Sequence, residues 1–123
     1  MKTQRLLLTW GMIWLFLWLA AALYLGPRVE SLTKMEKGAH SHALCLATVV
    51  LLMGVLQPFM GLSERVRYGF GWVLVIGSFL TPVGVLLELA GKAMMVIPII
   101  GSILVVISIL VYLIGMLRYV SQE

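Results

Sequence analysis

Four stretches of the chain are apolar almost from end to end, and the charged residues fall between them. The run over 6–26 carries no charge, follows Lys2 and Arg5, and ends on Gly26-Pro27, a strong helix stop. The run over 39–61 is also uncharged, 68–90 contains only Glu88, and 93–119 contains only Arg118. Each matches the roughly 20 apolar residues that a helix needs to cross bilayer hydrocarbon. The pattern predicts four membrane helices over about 6–26, 39–61, 68–90 and 93–119. The connections, Arg28 to Lys37, Ser63 to Arg67 and Gly91-Lys92, are too short to fold alone, so successive helices should be antiparallel neighbours. The expected fold is an all-α polytopic membrane protein, an antiparallel four-transmembrane-helix bundle forming one domain over 1–123.

Prolines and one competing reading refine this picture. Gln57-Pro58 predicts a bend near residues 54–58, Thr81-Pro82 an interruption of the third helix, and Pro98 lies in the first turns of the fourth. The first run also meets the pattern of a secretory signal peptide, with a basic start and Ala20-Ala21-Ala22 as a cleavage region. Its apolar stretch continues through Leu23-Tyr24-Leu25, longer than a signal core, and a retained helix is the reading adopted.

Composition agrees with lipid as the solvent. Of 123 residues 62% are hydrophobic and 11% charged, against about a quarter charged in soluble domains. The net charge of +4 is spread over the connections. It bears on topology, not on a nucleic-acid partner, which would need a dense basic surface. Lys2, Arg5, Arg65, Arg67 and Arg118 fall on one side of the membrane and Arg28, Lys34, Lys37 and Lys92 on the other. This bias predicts a prokaryotic inner-membrane protein with both termini cytoplasmic. Cys45 is the single cysteine, so no intrachain disulfide can form.

Small residues recur every seven positions on three helices: Ala47, Gly54 and Gly61; Gly77, Gly84 and Gly91; Gly101, Ser108 and Gly115. Seven residues are nearly two helical turns, so each set is a stripe along one face. Such stripes let backbones approach closely, which matters in lipid because hydrophobic burial does not drive helices together there. Helices two to four are therefore expected to pack as one unit. The first helix lacks a stripe and carries Trp10, Trp14 and Trp18 on one side, so it is expected to be peripheral. That indole row is either interfacial and groove-filling or a wall against a flat cofactor.

One polar cluster invites a functional reading. Seven positions before Ala47 is His40, which should point into the packed interface, and His42 lies about 200° round the helix from it. Cys45 shares the face of His42, which makes His42 and Cys45 candidate metal ligands, though a site would want three or four groups. The antiparallel order brings Glu88 to the same membrane side, where a His40 to Glu88 hydrogen bond is expected. His40, His42 and Glu88 are thus candidates for a ligand or proton site, since ionisable groups in a membrane helix are costly. Glu88 and Lys92 are also spaced for a simple i,i+4 surface pair.

The stretch Gly38-Ala39-His40-Ser41-His42-Ala43, leading into a helix with Gly54, resembles the Gly-x-His-x-His helix starts of small four-helix membrane proteins of unassigned role. More distantly, over one helix of four, it is similar to histidine-bearing helices of the haem-copper oxidase and nitric oxide reductase subunit I family. The further histidines of those catalytic centres are absent. The resemblance implies haem b contact or an accessory role beside a respiratory complex. Three functions are compatible with these residues. They are a non-enzymatic accessory or structural subunit of a membrane assembly, a haem- or metal-binding protein using His40 and His42, and a small self-associating proton-coupled transporter or channel using Glu88. No phosphate loop, nucleophile elbow or intramembrane carboxylate pair points to an enzyme.

Overall fold

A computed structural model describes residues 1–91 and 95–122 of the chain. Lys92, and with it the expected Glu88 pair, lies outside the described residues, as does Ala93, where the fourth helix was expected to begin. Among the described residues four long helices form the bundle: α1 Lys2–Leu25, α2 Lys34–Leu56, α3 Glu64–Leu89 and α4 Val96–Val120. All four are long and apolar enough to cross a membrane, and the protein is a small multi-pass membrane protein.

α2 and α3 start before the uncharged runs because polar residues cap them. Thr33 caps α2: its hydroxyl accepts the Glu36 N–H at 3.2 Å while the Glu36 carboxylate accepts the Thr33 N–H at 2.6 Å. This reciprocal box satisfies two N–H groups that would otherwise lack partners, and it starts α2 at Lys34, before the expected 39. Ser63 caps α3 with a single bond, its hydroxyl accepting the Val66 N–H at 3.5 Å. At its other end α2 stops at Leu56 and passes into a 3-10 turn over Gln57–Phe59, where Pro58 removes a donor.

Pro82 does not interrupt α3, which runs unbroken through it. Proline removes one bond from the helical ladder, the one to the Ser78 carbonyl, and the turns on either side continue. Ser78 Oγ donates to the Val75 carbonyl at 2.8 Å and Thr81 Oγ1 to the Gly77 carbonyl at 2.9 Å. Pro98 sits in the first turn of α4, where its lack of an N–H costs little.

The packing follows the small residues: α3 packs on both α2 and α4 as expected, and α1 joins them. α3 lies on α4: a Cβ added to Gly77 would be 2.8 Å from the Gly101 carbonyl oxygen, and one added to Gly101 would be 2.7 Å from the Thr81 nitrogen. Gly84 abuts Pro98, and Gly115 faces Leu62. The α2 glycine Gly54 meets Leu7 and Leu8 of α1, not α3 or α4, with Leu8 Cδ2 3.0 Å from its Cβ position. Gly11 of α1 returns the contact, 2.7 Å from Leu51. Helix α1 is therefore no peripheral element. It forms a hairpin with α2 and also touches α3, α2 packs on α3 as well, and α3 and α4 form the second hairpin. The reason is that one glycine, Gly11, suffices for close approach where Leu7 and Leu8 fill the space above Gly54.

Gly91 departs from its stripe. It is exposed, a Cβ there would meet nothing within 4 Å, and its φ of 77° is left-handed. It ends α3, its N–H donating to the Glu88 carbonyl at 2.9 Å. Gly61 closes the other rim, donating its N–H to the Gly115 carbonyl at 2.9 Å.

Candidate functional site

The capping at Thr33 decides how the histidines stand. Because α2 begins at Lys34, His40 and His42 lie in its second and third turns, inside regular helix. Two residues rotate a side chain by about 200°, and the two imidazoles line different clefts.

His40 turns toward α1. Its ring meets Trp18 edge to face at 5.7 Å, and Trp18 continues through Trp14 at 5.6 Å to Trp10, stacked on Trp14 at 5.3 Å. Trp10 is fixed by a hydrogen bond from Nε1 to Ser78 Oγ at 3.1 Å. The indole row thus fills the seam between α1 and its neighbours, with Trp14 buried. His40 also lines a cleft of about 370 Å³ with Ala22, Leu25, Gly26, Leu32, Lys37 and Ser41.

His42 turns the other way, to a cleft of about 400 Å³ walled by Ala39, Thr81, Pro82, Val85, Pro98 and Ser102 among others. Its Nδ1 is 2.7 Å from the Gly38 carbonyl oxygen. A carbonyl only accepts, so Nδ1 carries the proton and Nε2 presents a lone pair. The side-chain protons of Thr81 and Ser102 are likewise given to helix carbonyls.

No hydrogen bond joins His40 to Glu88. The imidazole rests on Trp18 instead, while His40 Nδ1 and Glu88 Oε2 are enclosed without partners among the described residues. Nor do three histidine, cysteine or carboxylate groups converge among the described residues, and Cys45 is exposed. Two-histidine ligation of one haem within a protomer does not fit imidazoles that serve separate clefts. A single axial ligand from His42 does fit its free Nε2.

The densest polar network lies at the opposite rim, on residues that sequence reasoning passed over. Thr3, fully buried, donates its backbone N–H and its hydroxyl to Glu64 Oε1 at 3.1 and 3.0 Å. The second carboxylate oxygen meets Arg67 at 2.8 Å, and Arg67 donates onward to the Gln57 carbonyl at 2.8 Å. The Arg67 carbonyl accepts the Tyr112 hydroxyl at 2.8 Å. Tyr112 and Gln57 are both fully buried. Through this chain of contacts α1, the end of α2, α3 and α4 are all joined at one rim. The usable signal was Glu64 and Arg67 three apart at a helix start, with Gln57 and Tyr112 as polar side chains inside apolar runs.

The chain matches no protein-family model, no curated protein and no solved structure.

Proposed function

We propose that this protein is a non-enzymatic accessory or structural subunit of a membrane assembly, acting through its sides in the plane of the bilayer. The observation that carries the reading is a closed centre under an open flank. Leu7, Val50, Leu74 and Tyr112 are fully buried along the core, and glycine contacts seal the helix seams. The clefts holding His40 and His42 open between helices on the outside. Such a shape binds laterally, to lipid or to a neighbouring helix, and gives no support to a polar path through the bundle. The basic-residue bias, five against four, supports a reading with both termini in the cytoplasm. Gentle purification from the native membrane, followed by partner identification and quantitation, tests the reading. The expected result is one or more partners in fixed ratio; a partner-free protein whose Glu88→Gln variant loses substrate flux overturns it.

A second reading has its own observation. Histidines that bind metals commonly donate the other ring N–H to a backbone carbonyl, which fixes the tautomer and raises basicity. His42 does this with Gly38. The distant resemblance to the haem-copper oxidase family supports the same residue as a single haem b ligand. Haemin added to the purified protein should then give a Soret shift that His42→Ala abolishes and His40→Ala preserves. Equal spectra in both variants would exclude it.

A further inference from the structure

We infer that the groove between the first half of α1 and the start of α3 is a binding site for one acidic phospholipid, with its phosphate on Lys2 and Arg5 and one acyl chain along Leu6, Trp10 and Ile13. The groove has a volume of about 420 Å³, and Thr9 and the α3 residue Tyr68 complete its wall. Its α1 members recur with the helical period and share one face of the helix. The buried face of Thr3, Leu7, Gly11 and Trp14 lies beside it. Thr3 is bonded to Glu64, which sets the first turns of α1 and α3 at one level.

Along this face the chemistry changes with depth as it does along a lipid. Lys2 and Arg5 stand at the rim, exposed and without a carboxylate partner among the described residues. Glu64, the acid at the start of α3, is already taken by Thr3 and Arg67. Two cations three apart on a helix repel each other, and an anion between them relieves the repulsion. Arginine also offers a fork that matches two phosphate oxygens. Thr9 lies four residues beyond Arg5, about 6 Å deeper at 1.5 Å per residue, and brings a hydroxyl to the level where the esters of a lipid follow its phosphate. Leu6, Trp10 and Ile13 carry the wall inward, and Trp10 spends its N–H on Ser78, leaving only ring carbon to the groove. Lys2 to Ile13 is eleven residues, about 16.5 Å of helix, close to the roughly 15 Å of hydrocarbon in one leaflet. Tyr68, set edge to face on Trp72 at 6.4 Å, flanks the mouth with the aromatic side chains typical of headgroup depth. A zwitterionic lipid would bring its own cation to Lys2 and Arg5, and a free phosphate would leave the apolar wall unused.

The test uses the whole protein in nanodiscs made from equal phosphatidylglycerol and phosphatidylcholine, with retained lipid identified by native mass spectrometry. Wild type should keep one phosphatidylglycerol with roughly tenfold preference, the scale that two basic residues near an anionic surface supply. Lys2→Gln and Arg5→Gln, both at exposed positions, should each reduce the preference to roughly threefold, and the double variant should bring it to parity. Arg65→Gln removes an exposed charge from the same rim outside the groove and should leave the preference unchanged. Ile13→Trp fills the apolar arm from an exposed position and should lower retention of the lipid with the rim charges intact. An equal loss in Arg65→Gln and Arg5→Gln would mean that the charge of the whole rim selects the lipid, and would overturn the inference. Full retention in Ile13→Trp would overturn it too, as would displacement of the lipid by excess inorganic phosphate, because the site would then read the anion alone.

Discussion

Replacing Gly77 with alanine tests the helix contact on which the second hairpin depends. The added methyl would stand 2.8 Å from the Gly101 carbonyl oxygen, 2.9 Å from Val105 Cγ2 and 3.0 Å from the Val105 nitrogen. Two of these atoms are backbone, so no side-chain rotation relieves the clash. Ordinary contact begins near 3.4 Å, and 3.4 minus 2.8 requires α3 and α4 to separate by about 0.6 Å. A gap of that size forfeits roughly a quarter of the dispersion energy along the seam, and overpacking of this kind costs about 1–3 kcal/mol. Alanine also has better helix propensity than glycine, by about 1 kcal/mol, which offsets part of the loss.

Gly69→Ala supplies the reference, since that glycine is on the same helix with nothing within 4 Å of an added Cβ. Both substitutions share the propensity gain, so their difference isolates the steric cost, about 1–3 kcal/mol. Unfolding of the purified protein in mixed micelles with rising dodecyl sulfate, followed by circular dichroism and by tryptophan fluorescence, reads that difference. Gly69→Ala should unfold at or slightly above the wild-type detergent fraction and Gly77→Ala distinctly below it. Coincident curves for the two variants would refute the assignment of α3 and α4 as a glycine-sealed pair.

The same assay reaches the rim network. Tyr112→Phe leaves the Arg67 carbonyl without its buried partner and should cost about 1–2 kcal/mol. Glu64→Gln removes the charged acceptor of Thr3 and the partner of Arg67; because Glu64 is partly exposed, about 1 kcal/mol is expected. A double-mutant cycle of Thr3→Val with Glu64→Gln should give a coupling of at least about 0.5 kcal/mol, and strict additivity would argue against the bond. Thr33→Ala deletes the α2 cap and should lower stability by about 1 kcal/mol, with amide exchange accelerated in residues 34–37 before the rest of the helix. Trp10→Phe removes the indole N–H that donates to Ser78 Oγ and should also destabilise the bundle by about 1 kcal/mol.

Number, direction and length of the helices were readable because lipid imposes a simple rule: long uncharged runs separated by charge. The caps that extended α2 were readable too, since Thr33 and Glu36 stand at capping-box spacing, but an uncharged-run criterion starts α2 too late and so misjudges how deep in the helix His40 and His42 sit. Pairing of helices was less legible. A seven-residue stripe marks a face able to approach another helix without naming the partner, and the lone Gly11 of α1 makes no stripe at all. The His40 to Glu88 bond was expected from a shared membrane side, yet a common rim fixes depth and leaves azimuth open, and Trp18 takes the imidazole. The Thr3 to Glu64 bond joins positions 61 apart in sequence, a distance at which no local spacing rule operates.

The two hairpins, α1 with α2 and α3 with α4, carry a consequence for how the chain is assembled. Each brings its own sealed seam into the bilayer, so translation can deliver the protein as two prefabricated halves. Coexpressed fragments divided within the second connection should therefore find one another, guided by the bonds that Glu64 and Arg67 extend to Thr3 and Gln57.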